Sequence, residues 1–329
     1  MTQTATREVP AAPSHRTRHG LGLGLAFSIG ILVALQSRVN GQLGHDLGDG
    51  VAAVLISFAS GGVLLLLAVA LVAKVRHGLG RVWCTVRNPA GGLRWYHCIG
   101  GLAGAFLVAS QSITVTTLGV AVFTVAVVAG QAASALLVDR HGLGPAGVQP
   151  ITLLRLVGAA TALVAVLLAV SDRLSHPNGL VLALLPAIGG CATAVQQAMN
   201  GRVAWVAAPD PSGAVSAAVI NFVVGNVALV IVLIADLAIR GLPQALPSNP
   251  WLYVGGACGV AFITLAAAIV RMVGVFVLGL GTIAGQLAGS LLLDLTVPAA
   301  NGAVTASVVA GTTLAFAAVV VTALPGLRR

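Results

Sequence analysis

Seven neutral amides are the side chains of this 329-residue chain best placed to do chemistry: Gln36, Asn40, Gln111, Gln131, Gln196, Asn200 and Gln286. An amide offers two donors and an acceptor, so it can hold a polar solute without carrying charge. Gln36 and Gln196 lie four residues before Asn40 and Asn200, which puts each pair on one face of a helix. Gly41 and Gly201 follow directly, and two readings stay open. Asn-Gly ends the helix, since both residues tolerate left-handed conformations, or the amides line a cavity entrance. Gln131 and Gln286 sit in the middle of apolar runs, where they either bond an adjacent helix backbone or face a common pocket. Asn221 and Asn226 are weaker candidates for the same lining.

Other chemistry is poorly supplied. Glu8 is the single Glu, and Asp139 and Asp294 fall at the ends of apolar runs rather than inside them. Cys84, Cys98, Cys191 and Cys258 show no metal-binding spacing. Walker, HExxH and nucleophile–base patterns are missing, and Gly20-Leu21-Gly22-Leu23-Gly24 lacks the strand context of a nucleotide fingerprint. The expectation is therefore no catalytic residue, no metal and no cofactor. The net charge of +9 comes from Lys and Arg set between apolar runs, with no basic stripe interleaved with aromatics, so a nucleic-acid partner is not expected.

The elements that must position the amides are membrane helices. Hydrophobic residues make up 58% of the chain and charged residues 8%, far below the quarter a soluble surface needs. The missing surface must face a lipid bilayer. Apolar runs of bilayer-crossing length recur near 21–40, 51–73, 95–116, 118–138, 151–170, 179–200, 214–235, 251–270, 273–293 and 303–323. The predicted turns inside the two longest stretches fall at Thr117–Gly119 and Arg271–Gly274. A basic start before the first run is also a signal-peptide pattern. The run passes into Gln36, Arg38 and Asn40 with no clean cleavage site, so it reads as a retained helix. The fold class is all-α integral membrane, with ten transmembrane helices.

Those ten form two repeats. Residues 118–139 and 273–294 share ten identities over 22 positions at a constant offset of 155, including Gly130/Gly285, Gln131/Gln286 and Asp139/Asp294. Gln36 and Asn40 match Gln196 and Asn200 at an offset of 160. Gln111 has no counterpart, because the offset leads to Ala266, and this asymmetry favours a solute contact over a purely architectural amide. The chain divides into a polar cytoplasmic tail (1–20), a first five-helix repeat (21–171) and a second (178–325). Five is odd, so consecutive repeats enter the membrane from opposite sides. Charge agrees: Lys74, Arg76, Arg81, Arg87 and Arg94 follow span two, whereas the corresponding loop after span seven has only Arg240. The positive-inside rule then puts both termini in the cytoplasm and leaves Arg38, Arg173 and Arg240 outside. Arg38 either snorkels to water or draws in an anionic solute.

The segments 100–111 (GGLAGAFLVASQ), 118–131 (LGVAVFTVAVVAGQ), 135–145 (ALLVDRHGLGP) and 34–44 (ALQSRVNGQLG) resemble the YdcZ-like family of the drug/metabolite transporter superfamily. The resemblance spans nearly the whole chain and implies a ten-helix inner-membrane transporter made by fusing two units. Small multidrug members of that superfamily use an acidic residue in the first helix to exchange protons for cations. The first span here has no Asp or Glu, so that mechanism is not expected. The expected function is secondary transport of a small metabolite or amphipathic solute by alternating access, through a central site at the interface between halves. The runner-up is a non-transporting membrane scaffold or sensor. A homodimer is compatible with either.

Overall fold

The computed structural model describes residues 15–88, 92–170, 179–296 and parts of 306–318. Every regular element among the described residues is helical. The elements are α1 (His15–Leu47), α2 (Gly50–Leu71), α3 (Ala73–Arg87), α4 (Gly100–Arg140), α5 (Leu153–Val170), α6 (Gly179–Ala207), α7 (Pro211–Arg240) and α8 (Gly255–Thr296). Short 3-10 turns at Trp95–Cys98 and Pro250–Tyr253 lead into α4 and α8. Large apolar side chains such as Leu66, Leu71, Leu153, Ile234 and Ile239 stay exposed. Water would penalise such a surface, and a bilayer accepts it. Four of the described stretches, Gly20–Leu47, Gly50–Leu71, Pro211–Ile239 and Pro250–Leu293, are long and apolar enough to cross a membrane.

The sequence reading is altered in two places. Asn40-Gly41 and Asn200-Gly201 do not end their helices, since α1 runs on to Leu47 and α6 to Ala207. Packing on neighbouring helices outweighs the local preference of Asn-Gly for a stop. The basic stretch after span two is also not a plain loop. It forms α3, an amphipathic helix that buries Val75, Gly78 and Val82 and leaves Lys74, Arg76, Arg81 and Trp83 outward.

The two longest helices fold back on themselves. In α4, Gly104 lies against Gln196, and Gly189 lies against Leu107 and Ser110. Further along, Gly190 lies against Val127 and Gln131, and Ser134 bonds Cys191 O at 3.3 Å. Both arms therefore pass the same part of α6. Leu107 and Gly130 would stand about 35 Å apart on a straight helix, so the chain reverses between 110 and 126, the interval that contains the turn expected at Thr117–Gly119. In α8 the reversal is explicit: Gly274 has φ 79° and ψ 172°, which breaks the helix between Gly255 and Thr296. The positive φ suits glycine, which has no Cβ to clash there.

Polar groups fix where the arms begin. Asp49 caps α2, accepting from the N–H groups of Val51 (2.8 Å) and Ala52 (3.1 Å). Asp210 caps α7 through Ser212 N at 2.9 Å. The second arm of α8 takes its cap from a distant residue: Asp139, buried at the end of α4, accepts from Val275 N (2.9 Å) and Phe276 N (3.2 Å). Arg155 of α5 pairs with the same carboxylate, and its guanidinium lies 4.8 Å above the Phe276 ring.

Close packing by glycine joins the helices, and the most extensive pairings are α1 with α8 and α4 with α6. Gly30 lies against the backbone of Thr282 and Gln286, and Gly190 lies against that of Val127 and Gln131. Gly285 meets Phe27 O as Gly130 meets Ala187 O. These contacts correspond position by position under the offsets 160 and 155. Likewise Gly256 abuts Ser57 and Gly61, while Gly101 abuts Asn221 and Gly225, a further offset of 164 between α2 and α7. A Cβ at any of these glycines would collide with backbone, so the small residue is what permits the approach. Ile29, Val270, Phe276 and Leu278 fill the apolar core beside the α1–α8 contact.

Candidate functional site

A cavity of about 150 Å³ opens among α1, α2, α4, α6, α7 and α8. Its polar lining is made of the amides Gln36, Asn40, Gln131, Gln196, Gln197 and Gln286 and the hydroxyls Ser37, Thr193 and Thr282. Phe58, Phe222 and Phe262 supply rings, and among the described residues no Asp, Glu, Lys, Arg or His takes part. The amides reach one space because α1 and α6 present helical-spacing faces, 36/40 and 193/196/197, and the second arms of α4 and α8 bring in Gln131 and Gln286. The glycines of α4 and α8 make room. A Cβ on Gly259 would fall 2.9 Å from Gln36 Nε2, and one on Gly104 would fall 3.2 Å from Gln196 Nε2.

Five of the seven amides singled out in the sequence thus line one cavity: Gln36, Asn40, Gln131, Gln196 and Gln286. Asn200 does not line it. Its Nδ2 donates to Asn221 Oδ1 at 3.2 Å, and Gln196 Nε2 donates to the same oxygen at 2.8 Å, a buried amide cluster tying α6 to α7. The side chain of Gln111 lies outside the described residues. Asn226 donates to Phe58 O (3.2 Å) and Phe222 O (2.8 Å), which makes it a clasp between α2 and α7.

The corresponding positions of the first half are Gln36, Asn40 and Ser57, and there the cluster is not closed. Asn40 Oδ1 and Ser57 Oγ are buried without a hydrogen-bond partner. Ser57 Oγ makes no bond to Gln36 or Asn40, the counterparts of the two amides that Asn221 engages. The most unbalanced group is Gln197, 3% exposed, whose Nε2 and Oε1 both lack a partner. Leaving a buried donor or acceptor unsatisfied costs about 1–3 kcal/mol, so such a group in a cavity wall calls for an explanation. Sequence reasoning passed over Gln197 because its counterpart at offset 160 is Ser37, and a search by repetition favours residues that recur. Its place on the 193/196/197 face was the signal that could have found it. The rings were missed for a different reason: aromatic residues in an apolar span carry no distinguishing pattern.

Metal chemistry has no visible centre, since no group of three or more His, Cys, Asp or Glu comes together among the described residues. What the site can do is hold a neutral solute by hydrogen bonds and ring contacts.

A helical bundle with a lipid-compatible exterior and a cavity lined by amides and rings has the build of a membrane transport protein. The chain belongs to the family described as "Putative inner membrane exporter, YdcZ", which matches residues 21–168 and 181–321, two units in one chain. It is thus a multi-pass inner-membrane transporter of that family. A solved structure described only as a crystal structure of a protein is similar in fold, with a TM-score of 0.61 over 95% of this chain and 98% of its own at 20% identity. No curated protein matches the chain.

Proposed function

We propose that this protein is a secondary transporter that moves a small neutral or amphipathic solute by alternating access, using the amide-lined cavity as its central site. Its two units, 21–171 and 178–325, are inverted five-helix repeats that make ten spans with both termini in the cytoplasm. The observation that carries the reading is the cavity itself, lined by amides from both units and, among the described residues, by no charged group. Support for inversion comes from the reciprocal contacts Gly30/Gln286 and Gly190/Gln131, from the odd number of spans per unit, and from the excess of Lys and Arg after the second span. A site at the junction of two similar units can be exposed to one side by one packing and to the other by its mirror.

Flux measurements test the proposal. Purified protein in liposomes should exchange neutral metabolites, and Gln131→Leu or Gln286→Leu should reduce exchange while the protein stays folded. Single cysteines at Gln131 and Gln286 in a Cys-free background should be labelled from either side as the state changes. A folded protein with no flux over a broad panel and no labelling from either side would point instead to a scaffold or sensor.

A further inference from the structure

We propose that Gln197 selects the solute: the cavity takes a neutral molecule that carries a donor and an acceptor side by side, a carboxamide or urea edge, on an aromatic or other flat apolar body. The proposal rests on the transport reading of the same cavity and narrows it.

Gln197 is the cavity-wall amide whose donor and acceptor are both buried and both unpartnered. Its neighbour Gln196 is already committed to Asn221. An amide side chain pairs best with another amide edge, giving and taking one hydrogen bond each. A carboxylate solute would satisfy only the Gln197 donor and an ammonium only its acceptor, and each would bring a charge into a lining whose described residues include no counter-charge, which burial disfavours. The apolar body is set by the rings. Phe58 and Phe222 lie 5.0 Å apart between centroids, and Phe262 lines the same space. An apolar cavity of about 150 Å³ takes up benzene, so a cavity of about 150 Å³ suits a single ring. Ser37, opposite Gln197 by the offset of 160, offers one hydroxyl and cannot make the same paired contact. The solute therefore binds in one orientation relative to the two units.

Benzamide, benzoate and benzylammonium share a ring and differ only in the polar head, which makes them direct probes. Binding to the purified full-length protein, read by thermal shift and titration, should rank benzamide first. Gln197→Met, similar in length but without either polar atom, should weaken benzamide about tenfold, or about 1.4 kcal/mol, while the ligand-free protein melts no lower than the parent. Gln197→Glu should turn the preference towards benzylammonium. Unchanged benzamide affinity in Q197M, equal or better binding of the charged probes to the parent, or binding of none of the three would overturn the assignment. Counterflow in liposomes separates the two claims. Benzamide binding without flux would remove transport and leave the selectivity assignment, whereas flux of other solutes with no benzamide preference would do the reverse.

Discussion

The carboxylate of Asp139 accepts the backbone N–H of Val275 at 2.9 Å, so the last turn of α4 caps a helix that begins 136 residues later. A helix start leaves several N–H groups without partners, and here the missing acceptor comes from the other matched unit. Arg155 neutralises the same buried carboxylate. Asp139→Ala would remove the cap and strand a cation that is largely buried. We expect a loss of about 3–5 kcal/mol, the range for breaking a buried pair, measured by unfolding of the purified protein. The double variant Asp139→Ala/Arg155→Met should recover part of it. Asp294, the sequence counterpart of Asp139, has Ala310 where Asp139 has Arg155, so Asp294→Ala should cost less.

The amide cluster gives a second test, built on the difference between the units. Asn221→Leu deprives both Gln196 and Asn200 of their acceptor. It should destabilise the protein by about 1–3 kcal/mol per orphaned group. Ser57→Ala at the corresponding position removes a hydroxyl that has no partner and should leave the unfolding midpoint unchanged or raise it. Equal losses from the two variants would contradict the asymmetry.

Glycine packing gives a third. A methyl at Gly130 or Gly285 would run into the carbonyls of Ala187 and Phe27 respectively. Gly130→Ala and Gly285→Ala should each cost about 1–3 kcal/mol from forced separation of helices. Gly24→Ala, where nothing lies within 4 Å, serves as the control and should be neutral in the same melting assay.

A fourth concerns pH. The Ser212 hydroxyl, followed by Lys74 at 3.1 Å, holds the Asp210 carboxyl down to about 2. A depressed acid stabilises the fold above its unfolded value, about 3.9, and that contribution is lost as pH falls through the folded value. Hydrogen-exchange protection of the first turn of α7 should therefore be flat from neutral pH to about 4 and decline below. Asp210→Asn should show reduced protection already at neutral pH.

Much of this arrangement was legible from the residues. Hydropathy located the long apolar helices α1, α2, α7 and α8, and repetition located Gln36, Gln131, Gln196 and Gln286 in the cavity wall. The unread parts are those where distant packing decides. Asn40-Gly41 is a plausible helix stop locally, yet Asn40 packs on Gly255 and α1 continues. The charge of 74–87 concealed α3, whose buried face has only Val75, Gly78 and Val82. The pairing of Asp139 with Val275 is a contact between segments far apart in sequence, and no local pattern announces it. Gln197 was hidden by the same repetition that revealed its neighbours.

The ring contact between Phe58 and Phe222 carries one further meaning. The two rings occupy equivalent positions, 164 residues apart, so each touches its own image. In the inverted-repeat reading proposed above, self-contact of this kind marks the two-fold axis. Were the two units separate chains, the same ring contact would lie across their interface, and any change to one ring would be made to both. Covalent fusion lifts that constraint. In that reading each side of the axis can differ, as Ser57 and Asn221 or Ser37 and Gln197 do, and a cavity that two identical chains would keep symmetric can tell one end of a molecule from the other.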